Sequence, residues 1–175
     1  IKLCSDGDLE VVRAALQSGV DVNSRGCGGA GDTGLMMSLL MGHTGVASLL
    51  LEQEGIDVDI NCNGQTALNL AAKSDENSEC LALILSKSSS VNPVDANGVT
   101  ALLFAVHHNA VRCVQLLLSD KRTDPNIKDD SWGSSPLMVA VKRNRAACVE
   151  LLLADPRVDL MTRDNYQGSG EEVAR

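Results

Sequence analysis

Four hydroxyl residues, Thr33, Thr66, Thr100 and Ser135, recur at spacings of 33, 34 and 35 residues. Each stands in similar local text. Asn63-Gly64-Gln65-Thr66-Ala67-Leu68 leads into Ala71-Ala72, and Asn97-Gly98-Val99-Thr100-Ala101-Leu102 into Ala105-Val106. Gly133-Ser134-Ser135-Pro136-Leu137 leads into Ala140-Val141, and Gly31-Asp32-Thr33-Gly34-Leu35 is an earlier copy. A near-identical apolar block follows each, at 46–51, 80–85, 113–118 and 148–153, with Val11 to Leu16 as an earlier, truncated unit. A turn marker closes the units, as in Gly19-Val20-Asp21-Val22-Asn23 and Asp124-Pro125-Asn126. A period of this length describes one supersecondary unit that cannot bury its own apolar face, so copies must stack.

The chemistry of each unit agrees. Thr33, Thr66, Thr100 and Ser135 sit where a helix needs an N-cap hydroxyl. Pro136 follows its cap at the first helical position, where a missing N–H costs nothing. Gly31, Gly64, Gly98, Gly133 and Gly168 punctuate the preceding turns. The blocks around Cys113 to Leu118 and Cys148 to Leu153 make wide apolar faces on short helices. Helices of about 8–10 residues are marginal alone and gain stability by packing on neighbours.

The pattern resembles the ankyrin repeat, with Gly-x-Thr-Pro-Leu, a first helix, Gly-His, a second helix ending Leu-Leu, then Gly-x-Asp-Val-Asn. The resemblance runs from Leu3 to Gly168. It implies an all-α repeat solenoid of stacked helix-turn-helix units with β-hairpin-like finger loops. On this reading residues 1–175 form a single array, with approximate units 1–25 (truncated), 26–60, 61–94, 95–128, 129–163 and 164–175 (truncated). The family's His after Pro-Leu is Met36, Asn69, Leu103 or Met138 here, so its bond to the Thr is expected to be missing and stability to be lower. The third copy carries an extra residue around Asp75 to Glu79. Longer turns at Glu52 to Asp59, Asp120 to Pro125 and Asp155 to Asp159 read as loop insertions on one edge.

Fifteen basic and 23 acidic residues give a net charge of -8, which repels phosphate backbones and argues against nucleic acid. The charge is uneven: residues 1–90 hold 5 basic and 12 acidic side chains, residues 91–175 hold 10 and 11. Six cysteines without a signal peptide read as reduced thiols, placing the protein in the cytoplasm, with the nucleus as the alternative. No apolar run approaches the roughly 20 residues that a membrane span needs. A start at Ile1 without methionine reads as a piece of a longer protein.

Several features invite chemistry. Gly26-Cys27-Gly28-Gly29-Ala30-Gly31 matches G-x-G-x-x-G, but that motif needs a buried strand before it and a βαβ unit around it. A glycine-lengthened finger is the better reading, with a nucleotide or phosphate site at 26–31 as the alternative. Cys80, Cys113 and Cys148 occupy one slot in successive copies. At helix-packing distance, about 10 Å, they are too far apart for disulfides and read as small buried hydrophobes. Cys27 and Cys62 fall in fingers and are expected to be exposed. No C-x-x-C or H-E-x-x-H spacing points to zinc, and no grouping points to catalysis or a cofactor. His107-His108 is either a solvated pair or a pH-tuned partner contact.

The resemblance implies protein recognition through finger tips and the inner faces of the first helices. Carried over by position, the slots are Ala30, Asp32, Leu40 and Met41; then Cys62, Asn63, Gln65, Lys73 and Ser74. Next come Ala96, Asn97, Val99, His107 and His108, then Asp130, Ser131, Trp132, Ser134, Lys142 and Arg143. Asn165 and Tyr166 close the series. The single Trp and single Tyr, Trp132 and Tyr166, both fall in fingers, where hot-spot aromatics would stand. The row begins apolar at Leu40 and Met41 and ends basic at Lys142 and Arg143. That gradient suits a partner peptide with an apolar anchor and an acidic stretch. The function read here is a docking, scaffold or regulatory module, monomeric and not an enzyme. A self-associating spacer is one alternative, and a substrate of an asparaginyl hydroxylase at Asn23 or Asn126 is another.

Overall fold

The computed structural model describes residues 4, 6–26 and 31–165. Helices come in antiparallel pairs. Helix α1 (Leu9–Gln17) is the second member of the first pair. Three pairs follow: α2 (Gly34–Met41) with α3 (Thr44–Leu51), α4 (Ala67–Ala71) with α5 (Ser78–Lys87), and α6 (Ala101–His108) with α7 (Val111–Ser119). Helices α8 (Pro136–Lys142) and α9 (Ala146–Ala154) complete the series. Contacts run α2–α4–α6–α8 along one layer and α1–α3–α5–α7–α9 along the other. Each helix therefore packs on its partner and on its counterparts in adjacent pairs, which is how short helices persist.

The hydroxyl caps close the first helices as their spacing predicts. Thr33, Thr66 and Thr100 Oγ1 accept from the backbone N–H of Met36, Asn69 and Leu103 at 3.2, 3.3 and 3.3 Å, and Ser135 Oγ from that of Met138 at 3.4 Å. Leu35, Leu68, Leu102 and Leu137, two residues beyond the caps, are all fully buried. The cap's link to the third helical residue is rebuilt in one copy: Thr66 Oγ1 also bonds Asn69 Oδ1 at 3.3 Å. An amide thus stands in for the expected histidine at a fully buried position.

Among the described residues the fingers are held by isolated antiparallel bridges, Arg25 to Thr33, Cys62 to Gln65 and Val94 to Thr100, rather than by extended strands. Fingers stack on one another. Asp130 N–H donates to the Asn97 carbonyl at 2.9 Å and Asn165 N–H to that of Trp132 at 3.0 Å.

The long edge turns are cross-repeat ties. Asn23 donates from Nδ2 to the Gly55 carbonyl and accepts from the Asp57 N–H, at 2.7 and 2.8 Å. Asn92 repeats this with Arg122 and Asp124, and Asn126 with Arg157 and Asp159. The third copy's insertion forms a short 3₁₀ turn, Asp75–Asn77. Asp75 accepts from the Cys113 N–H of α7 at 3.1 Å, and Asn77 Nδ2 donates back to the Leu39 carbonyl of α2 at 3.3 Å. The extra residue thus ties one pair to the pairs on both sides.

Candidate functional site

Between α6 and α8 the inner layer opens into a groove of about 870 Å³. Its floor is apolar: Leu103 and Phe104 from α6, Val139 from α8 and Val99 from the finger before α6. Phe104 is only partly covered, packing against the core while also lining the groove. Lys73, at the end of the previous first helix, lies over the Phe104 ring with Nζ 4.7 Å from its centroid. That is cation–π distance. Burial pushes the Lys73 amine below its ordinary range, while Asp95 pushes it up.

Trp132 forms the finger wall. Its N–H donates to Asp129 Oδ1 at 2.6 Å and its carbonyl accepts from Asn165, so the backbone is pinned on two sides. The residue is nonetheless 57% exposed. A fixed backbone carrying an exposed indole loses little entropy on contact.

The opposite wall is made by the ends of the first helices. His107 and His108 close α6, their rings 5.0 Å apart between centroids and tilted by 54°. Both are exposed. Partial burial holds the His107 imidazole below its ordinary value, with Arg143, His108 and Arg145 pushing the same way. For His108 the causes are burial, then Lys73, Arg143 and Arg145. Burial and the neighbouring cations thus favour the neutral form of both rings. Arg145 holds the His107 carbonyl through Nη2 at 3.3 Å, and its Nε is enclosed without an acceptor among the described residues. Lys142 is engaged, donating to Ser134 Oγ at 3.3 Å and forming an ion pair with Asp164 at 2.8 Å. Arg143 makes no ion pair among the described residues.

Of the site residues proposed from sequence, His107, His108, Trp132, Lys142 and Arg143 line this one groove, and Lys73 reaches it over Phe104. Leu40 and Met41 are each 51% exposed at the end of α2 but do not line it. Tyr166 lies outside the described residues, as do Cys27 to Ala30 of the glycine run. The expectation for Cys62 is overturned. It is 4% exposed, because its bridge to Gln65 turns the thiol inward to donate to the Gly31 carbonyl at 3.0 Å. Sequence reasoning missed Phe104, Leu103, Val139, Asp95 and Asp129. Phe104 carried a signal: it is the single Phe, on a helix whose other apolar residues are all aliphatic.

Cys80, Cys113 and Cys148 are buried. Burial, followed by Asp75, pushes the Cys113 thiol up to about 12. Asn23 and Asn126, considered above for modification, use both ends of their amides within the edge ties. Among the described residues no helix is long and apolar enough to cross a membrane, and no group of His, Cys, Asp and Glu is placed to hold a metal.

A family model described as ankyrin repeats in three copies matches residues 1–95 and again 74–164. The chain belongs to the ankyrin-repeat family. Two rice proteins (Oryza sativa subsp. japonica) are similar to this ankyrin array. Probable E3 ubiquitin-protein ligase XBOS32 is 32% identical over 122 residues, covering 69% of this chain and 24% of the relative. Probable E3 ubiquitin-protein ligase XBOS33 is 33% identical over 121 residues, covering 69% and 23%. The ankyrin chain thus spans about a quarter of either relative. Ankyrin arrays generally serve protein–protein interaction rather than catalysis.

Proposed function

We propose that this ankyrin array is a non-catalytic docking module that binds an extended segment of another protein in the groove between α6 and α8. The segment carries an apolar anchor and an acidic stretch. The observation behind this reading is the convergence of an apolar floor (Leu103, Phe104, Val139), an exposed indole on a pinned backbone, and a cationic helix-end wall. The anchor enters between Trp132 and Phe104. The acidic residues face Arg143 and the helix ends. Leu40 and Met41 belong to the same row of helix ends and extend the contact for a longer segment.

A display library of peptides, each with one apolar residue flanked by glutamates, tests this. The best binder should lose about 30-fold or more in affinity on Trp132→Ala, consistent with a central aromatic hot spot worth about 2 kcal/mol. Arg143→Glu should weaken it further, while Glu150→Gln, on the outer layer, should not. Absence of any acidic binder would sink the reading. A mass that rises with concentration would favour the self-associating spacer instead.

The ligase relatives support a second reading, in which the array docks the protein that an attached ligase modifies. A ubiquitination assay on the full-length protein, with and without Trp132→Ala, tests it.

A further inference from the structure

The helix-end wall holds an arrangement that general peptide docking does not require. Two adjacent imidazoles close α6, 5.0 Å apart, and face cations from two neighbouring segments. Lys73 comes from the turn just after α4, and Arg143 and Arg145 from the turn after α8. The carboxylates on the finger side of the same groove are held in place by local hydrogen bonds. Asp95 accepts from the Asn97 and Val99 N–H groups and from Gln65 Nε2, and Asp129 accepts from the Trp132 N–H. Lys142 is paired with Asp164. The groove therefore sets Lys73, Arg143 and Arg145 beside the two imidazoles, while Asp95 and Asp129 stand on its finger side, Asp95 acting on Lys73.

We propose that His107, His108 and Arg143 form a carboxylate-binding subsite whose imidazoles take up protons from solvent as an acidic residue of the partner docks. The proposal rests on the docking reading above and specifies its chemistry. An incoming carboxylate reverses the local balance. The imidazoles, whose charged form burial and the neighbouring cations disfavour, gain an anion that favours it. The bound state has the higher imidazole pKa, so it binds more protons, and affinity rises as pH falls from the bound toward the free value. Glutamate side chains stay ionised throughout that window, since they titrate near pH ~4.3.

The probe is the tightest acidic peptide from the display library, titrated calorimetrically in phosphate and in Tris. The expected result is net proton uptake on binding and an affinity gain of about three- to tenfold between about pH 7.5 and about pH 6. The His107→Gln, His108→Gln double variant should bind with a flat pH profile and no uptake. Should that variant fold poorly, the imidazole C2–H resonances of the wild-type chain must move to higher pKa on adding peptide. Arg143→Gln should raise both imidazole pKa values without peptide, since a neighbouring cation is gone. A peptide that binds without proton uptake, or whose pH response survives in the double variant, overturns the subsite and leaves the docking reading standing. A library with no binder overturns both.

Discussion

Arg157 donates from Nη2 to the Leu118 carbonyl at 2.6 Å and from Nη1 to that of Thr123 at 2.9 Å. These carbonyls lie at and beyond the end of α7, where a helix leaves acceptors without internal partners. Asp155, two residues before, holds the guanidinium at 2.6 Å and sets the fork. Arg122 and Asp120 do the same for the preceding pair, reaching the Ser88 and Leu85 carbonyls. Arg157→Gln should destabilise the protein by about 1–3 kcal/mol in urea denaturation, because charged hydrogen bonds to part-buried carbonyls are lost. Arg157→Lys should recover only part, since an ammonium is not a planar fork. The arginine bonds hold the Asp155 and Asp120 carboxyls below the usual carboxylate range. Groups with depressed folded values contribute stability above about pH 4 and lose it as pH falls through the folded value. Acid unfolding should therefore steepen below about pH 4, and Asp155→Asn should flatten that limb. A profile unchanged by Asp155→Asn would remove Asp155 from the account.

Fingers and helix pairs are the elements, and their join depends on glycine. Gly98 has φ of +72°, and a Cβ there would stand 2.5 Å from Asp130 Cγ of the next finger. Gly98→Ala should cost about 1–3 kcal/mol from backbone strain, with further loss as the fingers part. The same change should weaken the acidic peptide, because Trp132 hangs on the displaced finger. Equal peptide affinity in a destabilised Gly98→Ala chain would show that finger stacking does not position the indole. At this scale much was legible in the sequence. Thr33, Thr66, Thr100 and Ser135 marked each helix start because capping is local, and Leu102 and Leu137 followed as core. The cross-repeat ties were not legible. Asp75 capping α7 and Arg157 capping it from the far side join residues more than thirty positions apart, which a one-unit pattern does not encode. Cys62 misled for a related reason: its finger position suggested exposure, but its facing is set by the bridge to Gln65.

The groove is a property of the stack as a whole, assembled from Lys73, Phe104, Trp132 and Arg143 across three units. Register put His107, His108 and Arg143 at helix ends and Trp132 in a finger, yet it could not say that Phe104 would be left part-open as floor. Stability should also be distributed along the stack, since each pair touches only its neighbours. Helix α6 buries Ala101, Leu102, Leu103, Ala105 and Val106, and α4 and α5 pack on pairs to either side. Helix α1 buries only Val12 fully and, among the described helices, packs on α3. Hydrogen exchange should therefore show a gradient, with amides of α4 to α7 the slowest and those of α1 the first to exchange. The acidic peptide, seated between α6 and α8, should slow exchange at those helices and leave α1 unchanged, because coupling along the array falls with each interface crossed. Equal protection from α1 to α9 would mean that the array opens as one cooperative unit. The groove would then gain its rigidity from the entire stack rather than from the two pairs that line it.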